Sequence, residues 1–331
     1  MNSYQPHIDL AGEVCFRPNF WQTQRRINHL ITSYLRDRAL CRRLEDLPRQ
    51  FVNPQPRPWQ PIDWDQINAK EVIGIDVNVF VSIIKGALDT EAPIRGYTQT
   101  SRQYLAPIHP AMAKFVGGVV TPDGKMKELG LWEKEERQHT PALLKIYQQL
   151  TGCKIKPNLR TVKTYQPNIN PYQDLYKHGL HRIATEYSAV CLYLWMMAHS
   201  TGTIQQVLAE LLQDEINHLS KFWGVGMWLY PDGYVQLTKH ILVLIQELLP
   251  LTSSENSLSR SNLVITFRRM MSILNWQSWT CLSKIELIYT FIWVLQRMWQ
   301  WSRTLTPEYL QPLCATQDFF GHNNPELTNI L

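Results

Sequence analysis

Along most of this chain apolar residues recur every three to four positions, the period of helices that bury one face. The first such stretch covers residues 18–44. Ile27, Leu30, Ile31, Tyr34 and Leu35 share one face, and Arg25, Arg26, Arg36 and Arg38 occupy a solvated side. Pro54, Pro56, Pro58 and Pro61 then require an extended segment over 48–62. An apolar run starts at Asp63, which serves as its N-cap. The run is rich in β-branched residues and suits strands by propensity. It lacks a two-residue hairpin turn, so a buried helix reaching Glu91 is expected, stopped by Pro93.

Short helical pieces fall around 111–119, before the turn Pro122-Asp123-Gly124. A helix over 132–150 closes at Gly152, with Pro141 kinking it just after His139. Residues 157–171 connect it to a helix over 172–199. After Ser200-Thr201-Gly202, Thr203 caps the next helix, which the Gly224-Val225-Gly226 run ends after Phe222. Further helices are expected over 234–249, 259–274 and 282–303. The last carries Ile285, Ile288, Phe291, Ile292, Leu295, Met298 and Trp299 as one stripe, a core face or a dimer seam. Residues 1–17 read as a loose arm. The expected fold class is all-α.

Composition adds limits. A chain of 331 residues, 44% hydrophobic, can fill a sizeable core. A net charge of +5 is too weak and too scattered for nucleic-acid binding, but it suits an acidic protein partner. Cys15, Cys41, Cys153, Cys191, Cys281 and Cys314 form no CxxC pair and read as free thiols in a reducing compartment. The beginning of the chain, with Asp9 and Glu13, has no signal-peptide pattern, and the apolar run 287–295 is too short to span a membrane. These features point to a soluble, cytoplasmic protein. Most of the twelve tryptophans belong to the core.

The chemistry lies in Asp214-Glu215-Ile216-Asn217-His218. Glu and His three apart on a helix share a face and can bind one metal ion. The spacing recurs at Glu136-Arg137-Gln138-His139. Each pair follows a helix with a glutamate embedded among apolar residues: Glu91 before the first and Glu186 before the second. Two Glu-x-x-His pairs plus two lone glutamates make the ligand set of a ferritin-like di-iron or di-manganese bundle. Four carboxylates balance two divalent ions and leave positions open for oxygen. Without a metal, Glu186 would be a surface residue beside Arg182, and His139 and His218 would be satisfied core histidines.

Three segments carry a family resemblance. Trp59-Gln60-Pro61-Ile62-Asp63-Trp64, Trp132-Glu133-Lys134-Glu135-Glu136-Arg137-Gln138-His139 and Asp214-Glu215-Ile216-Asn217-His218 resemble motifs of the soluble acyl-acyl carrier protein desaturases. Asp89-Thr90-Glu91-Ala92 is similar to that family's Thr-Glu pair. The likeness runs over about 59–232. It implies a ferritin-like four-helix bundle with additional C-terminal helices, and two iron ions held by Glu91, Glu136, His139, Glu186, Glu215 and His218. It also implies an electron relay from Trp59 through Asp214 to His139, molecular oxygen as co-substrate, an acyl carrier protein, a ferredoxin-type donor and a homodimer. Trp132 stands one residue further from the Glu pair than in the family, and two departures matter more: Ala189 replaces the family's threonine, and Pro93 stands unusually close to Glu91.

The expected organisation is an arm and helix over 1–58, a di-iron core over 59–233 and C-terminal helices over 234–331 on the same domain. Desaturation of a carrier-bound acyl chain is the leading reading, with Arg25, Arg26, Lys125 and Lys127 as the basic patch for the carrier. Residues such as Leu192, Leu194, Trp195, Met196, Leu211 and Leu212 would line an acyl slot or simply fill the core. Hydroxylation, deformylation or oxidative cleavage by a related di-iron enzyme stays open. So do metal oxidation without an organic substrate and a scaffold that has lost its metal.

Overall fold

A computed structural model describes residues 18–159, 162–231 and 274–316. The described residues are mostly helical, as the period of the sequence requires. In order they form α1 (Phe20–Tyr34), α2 (Asp37–Glu45), α3 (Leu47–Val52), α4 (Val77–Glu91), α5 (Ile94–Leu105) and α6 (Pro110–Gly117). A short antiparallel pair, β1 (Val119–Val120) and β2 (Met126–Glu128), precedes α7 (Leu131–Glu136) and α8 (His139–Thr151). Then come α9 (Pro171–Ala198), α10 (Gly202–Leu229), α11 (Cys281–Ser302) and α12 (Pro307–Cys314). The helices expected over 234–249 and 259–274, save for Leu274, which stands in a turn, and the arm over 1–17 lie outside the described residues. No described helix is long and apolar enough to cross a membrane. No disulfide joins the described cysteines.

The longest helices, α9 and α10, pack along each other as a hairpin, with α4 on α8 and with α7 and α8 against α10. Leu194, Trp195, Met196, Leu211 and Leu212 are wholly buried and are plain core. Helices α1 and α11 cover α9, while α2 and α12 cover α10.

Several boundaries differ from the periodic reading, each for a local reason. Residues 63–76 are not helical. They form two short 3₁₀ turns and an extended strip, and the helix begins at Val77, where the Asp76 side chain accepts from Asn78 N at 2.7 Å. The β-branched residues before it serve pairing instead. Val72 bridges Ser200, and Ile73 N donates to His199 O at 2.9 Å. The 18–44 stretch divides at Leu35–Arg36, and Pro48 sits in the first turn of α3, where its missing N–H costs nothing. Arg26 is not on a solvated side. It donates to the carbonyls of Ala198 at 2.8 Å and Ser200 at 2.6 Å, satisfying the end of α9.

Pro141 breaks its helix upstream rather than downstream of His139. A proline ring clashes with the carbonyl four residues earlier, here Arg137, and the break falls at Arg137–Gln138. Gly224 does not end α10, which continues to Leu229. A β-carbon there would lie 2.5 Å from Leu44 Cδ1, so the glycine lets α2 cross closely. On α11, Ile288, Phe291, Leu295 and Met298 are buried as expected. Ile285 and Ile292 are exposed, and Leu287, Val294 and Trp301 complete the buried face.

Thr203 does not cap α10, and Thr201, at the N-cap position, makes no side-chain cap bond. Glu71 does this from outside, accepting from Thr203 N and Ile204 N at 2.9 Å each. A carboxylate at a helix N-terminus satisfies orphan donors and opposes the helix dipole. Gly202 has φ +55°, and a β-carbon there would lie 2.2 Å from Glu71 Oε1. We expect Glu71→Ala to destabilise the fold by about 1–2 kcal/mol, the worth of an N-cap. Gly202→Ala is expected to cost more, since it adds left-handed strain of about 1–2 kcal/mol to the lost cap. Urea unfolding midpoints of the two variants check the order.

Candidate metal centre

The six expected ligands converge from four directions. Glu91 is the last residue of α4. Glu136 ends α7, and His139 opens α8 across the proline-induced break. Glu186 comes from the middle of α9, and Glu215 and His218 from the middle of α10. All but Glu91 are buried, and Glu91 is partly so.

They form two overlapping groups: Glu91, Glu136, His139 and Glu215, and Glu136, Glu186, Glu215 and His218. Within each group the ligand atoms lie within 4.8 Å of one another. Glu136 and Glu215 belong to both. Glu136 divides its oxygens, with Oε2 3.2 Å from His139 Nδ1 and Oε1 2.9 Å from His218 Nδ1. Glu215 Oε1 is 3.3 Å from His139 Nδ1, Glu91 Oε2 is 3.9 Å from it, and Glu186 Oε2 is 3.7 Å from His218 Nδ1.

The outer nitrogens are held by acids. His139 Nε2 lies 3.4 Å from Asp214 Oδ2, and His218 Nε2 lies 2.9 Å from Glu135 Oε2. Asp214 precedes Glu215, and Glu135 precedes Glu136. Each acid doublet therefore sends its second carboxylate between the two imidazoles and its first behind the imidazole of the other motif. A carboxylate behind a histidine fixes the ring and keeps the proton on the outer nitrogen. Sequence reasoning had Asp214 in this role and missed Glu135. The doublet Glu135-Glu136, echoing Asp214-Glu215, was the available signal.

Arg57 joins the two outer acids. Its backbone N–H donates to Glu135 Oε1 at 2.9 Å, and its Nε donates to Asp214 Oδ1 at 2.8 Å. The same guanidinium also pairs with Glu210. Trp59 Nε1 donates to Asp214 Oδ2 at 2.8 Å, so Trp59, Asp214 and His139 form a continuous line. Behind Glu135, Asn217 donates to its Oε2 at 3.3 Å, and the fully buried Lys221 donates to Asn217 Oδ1 at 2.6 Å. Burial pushes Lys221 down to about 8. Nearer the ligands, Trp132 Nε1 donates to Glu136 Oε1 at 3.0 Å, and Tyr193 OH to Glu91 Oε1 at 3.1 Å.

Electrostatics divides the carboxylates. Burial pushes Glu215 well above its usual range, and the charge of Glu136 adds to this. Burial, then Glu136, pushes Glu91 up to about 7. Burial acts on Glu136 in the same sense, but the two facing imidazoles outweigh it and hold Glu136 well below. Burial alone would lower His139 and His218. Their carboxylate neighbours reverse this and raise both well above the ordinary imidazole value.

The arrangement fits cations. Nδ1 of His139 and of His218 are buried and make no hydrogen bond, although carboxylate oxygens lie nearby. The oxygens sit off the axis of each nitrogen, which points into the space the carboxylates surround. Two groups sharing two carboxylates can therefore hold metal ions. Alongside them runs a partly open cleft walled by Ala87, Ile94, Tyr97, Trp132, Ala189 and Leu192. Of the residues expected to line a slot, Leu192 alone reaches it. Ser188 lines it too, beside Ala189.

The chain matches no protein family, curated protein or solved structure.

Metal binding requires neutral imidazoles and ionised carboxylates. In the metal-free protein His139, His218, Glu91 and Glu215 all hold protons to higher pH than usual, so loading must release protons. We expect affinity for a divalent cation to fall as pH drops through 7 toward 6, with proton release detectable by indicator dye. Affinity that is flat over this range would contradict these proton positions. Glu135→Gln and Asp214→Asn are each expected to weaken metal binding by about 10–100-fold. Equilibrium dialysis against a chelator measures the change.

Proposed function

We propose that this protein is an oxygen-dependent dinuclear-iron oxidoreductase that removes hydrogen from an acyl chain. The observation that carries the reading is the sharing of Glu136 and Glu215 between two buried groups, each completed by one imidazole and one further glutamate. Iron suits a set of hard carboxylate oxygens with imidazole. Bound there, it would supply the oxygen activation and one-electron chemistry that no side chain can provide.

The chain's own residues orient and exclude. Asp214 and Glu135 fix the two imidazoles, and Arg57 fixes both acids. Trp59 is partly buried and joined to His139 through Asp214, a route for electrons from the surface. A ferredoxin-type donor is the fitting partner. The cleft beside Glu91, Glu136, Glu186 and Glu215 has apolar walls for a hydrocarbon. Such a cleft favours an organic substrate over metal oxidation alone. Desaturation is the reaction proposed first, on a chain delivered by an acidic acyl carrier protein. Arg25, Lys125 and Lys127 remain exposed to meet that carrier, whereas Arg26 is engaged with α9. A four-helix, ferritin-like arrangement of α4, α7–α8, α9 and α10 and a homodimer belong to the same reading.

Purified protein is expected to bind about two iron ions per chain, as this ligand set requires. Glu215→Ala removes a shared ligand and is expected to lose most of both. Glu91→Ala removes a ligand of one group and is expected to lose about one. Reduced ferredoxin, oxygen and acyl carrier substrates should then give an unsaturated product by mass spectrometry in wild type only. Protein that takes up no iron under anaerobic loading would overturn the proposal.

A further inference from the structure

One charge in the cleft has no place in this scheme. Arg182, on α9, is 7% exposed and lines the cleft together with the four metal-side glutamates. Its guanidinium carbon lies 5.1 Å from the ring centroid of Tyr97 and 5.9 Å from that of Trp132. Its Nε is buried with no hydrogen-bond partner. No carboxylate among the described residues approaches its nitrogens within 4.0 Å. A buried cation without a counterion is costly, and two aromatic faces offset only part of that cost.

Glu186, one helical turn on, is the carboxylate whose field opposes the burial of Arg182 most. It faces His218 instead, at 3.7 Å, and once it holds a cation its charge is spent there. His178, one turn before Arg182, brings no negative charge. It hydrogen-bonds Ser101 at 2.9 Å, and burial, then Arg182 itself, keeps it neutral. Glu136 opposes the burial of Arg182 as Glu186 does, but less strongly. The cleft thus combines walls of Ile94, Ala189 and Leu192 with a ring-clamped guanidinium that no carboxylate among the described residues pairs directly.

We propose that Arg182 is the anion subsite of this cleft, where a carboxylate on the substrate docks between Tyr97 and Trp132 while its aliphatic body lies along the apolar wall beside the glutamates. This rests on the oxidoreductase reading above and narrows its substrate to an acyl chain ending in a carboxylate. The carboxylate belongs either to a free acid or to the far end of a chain still attached to a carrier. A plain carrier-bound fatty chain would leave Arg182 without a direct carboxylate partner. Guanidinium pairs with carboxylate through two parallel hydrogen bonds, which an amide cannot reproduce.

The test is calorimetric titration of the full chain, as isolated and zinc-loaded, with octanoate, octanamide and methyl hydrogen suberate. Octanoate or the half ester should bind, octanamide should not, and Arg182→Gln should weaken binding at least about tenfold, the worth of a charged hydrogen bond. Arg182→Lys, which keeps the charge but not the fork, should fall between. Tighter binding of octanoate assigns the carboxylate to a free acid, and tighter binding of the half ester to the far end of a carried chain. Equal binding by wild type and Arg182→Gln, or no binding to wild type, overturns the proposal. So does an Arg182→Gln protein altered only in metal content, which would make the residue a support for Glu186. Failure to load zinc or iron instead sinks the metal reading, and titration of Glu186→Gln, in which the charge of Glu186 is absent without a metal, still decides on Arg182.

Discussion

The structure depends on one buried carboxylate, that of Glu136. It lies between two imidazoles from different helices and is further held by the Trp132 indole. An ionised group in a helical core is tolerated only when its charge is answered and its oxygens are occupied. Both imidazoles must therefore reach it, which fixes α7, α8 and α10 relative to one another. The outer acids follow from the same need. An imidazole facing Glu136 presents its other nitrogen to the interior, and Asp214 and Glu135 receive those nitrogens. Arg57 then balances and joins the two outer acids. Each layer of polar residues exists because the layer inside it would otherwise be unsatisfied.

This layering explains why the centre is asymmetric despite its repeated motif. One imidazole leads outward through Asp214 to Trp59 at the surface. The other leads through Glu135 and Asn217 to Lys221, which is sealed inside the protein. One side has an aromatic exit, and the other reaches a buried ammonium that pairs with Asp46 at 3.9 Å. The electron route proposed above would take the first. The second is better read as the electrostatic balance of Glu135.

Much of this was legible in the sequence, and the parts that were not have physical causes. Four of the six metal-side residues came from spacing, because three residues along a helix must bring Glu and His to one face, whereas Glu91 and Glu186 came from their places on the preceding helices and from the family resemblance. The long helices α9 and α10 came from an uninterrupted 3.6-residue period. What the period could not give was anything decided by a contact distant in sequence. Val72 and Ile73 look like the start of a helix until the turn at 199–200 offers them strand-like partners. Gly224 looks like a terminator until Leu44 is packed against it. Arg26, Arg57 and Arg182 look like solvent-facing cations, yet each lies against a different buried group. Arginine in a mixed sequence carries no mark of whether its partner is water, a helix terminus, a carboxylate or nothing. The helices expected over 234–249 and 259–274 fall, but for Leu274, outside the described residues.

The extended strip that carries Arg57 and Trp59 has one more consequence. It has no helical hydrogen bonds of its own, and it lies over the outer acids through contacts of two side chains and one amide. The ligands sit on helices whose separation would require global unfolding, whereas lifting this strip breaks a handful of bonds. Such segments open locally at far lower free energy than the fold as a whole. How long an ion stays would then be governed by the breathing of a short proline-rich strap, and the lifetime of the cofactor and the stability of the fold would be separately adjustable.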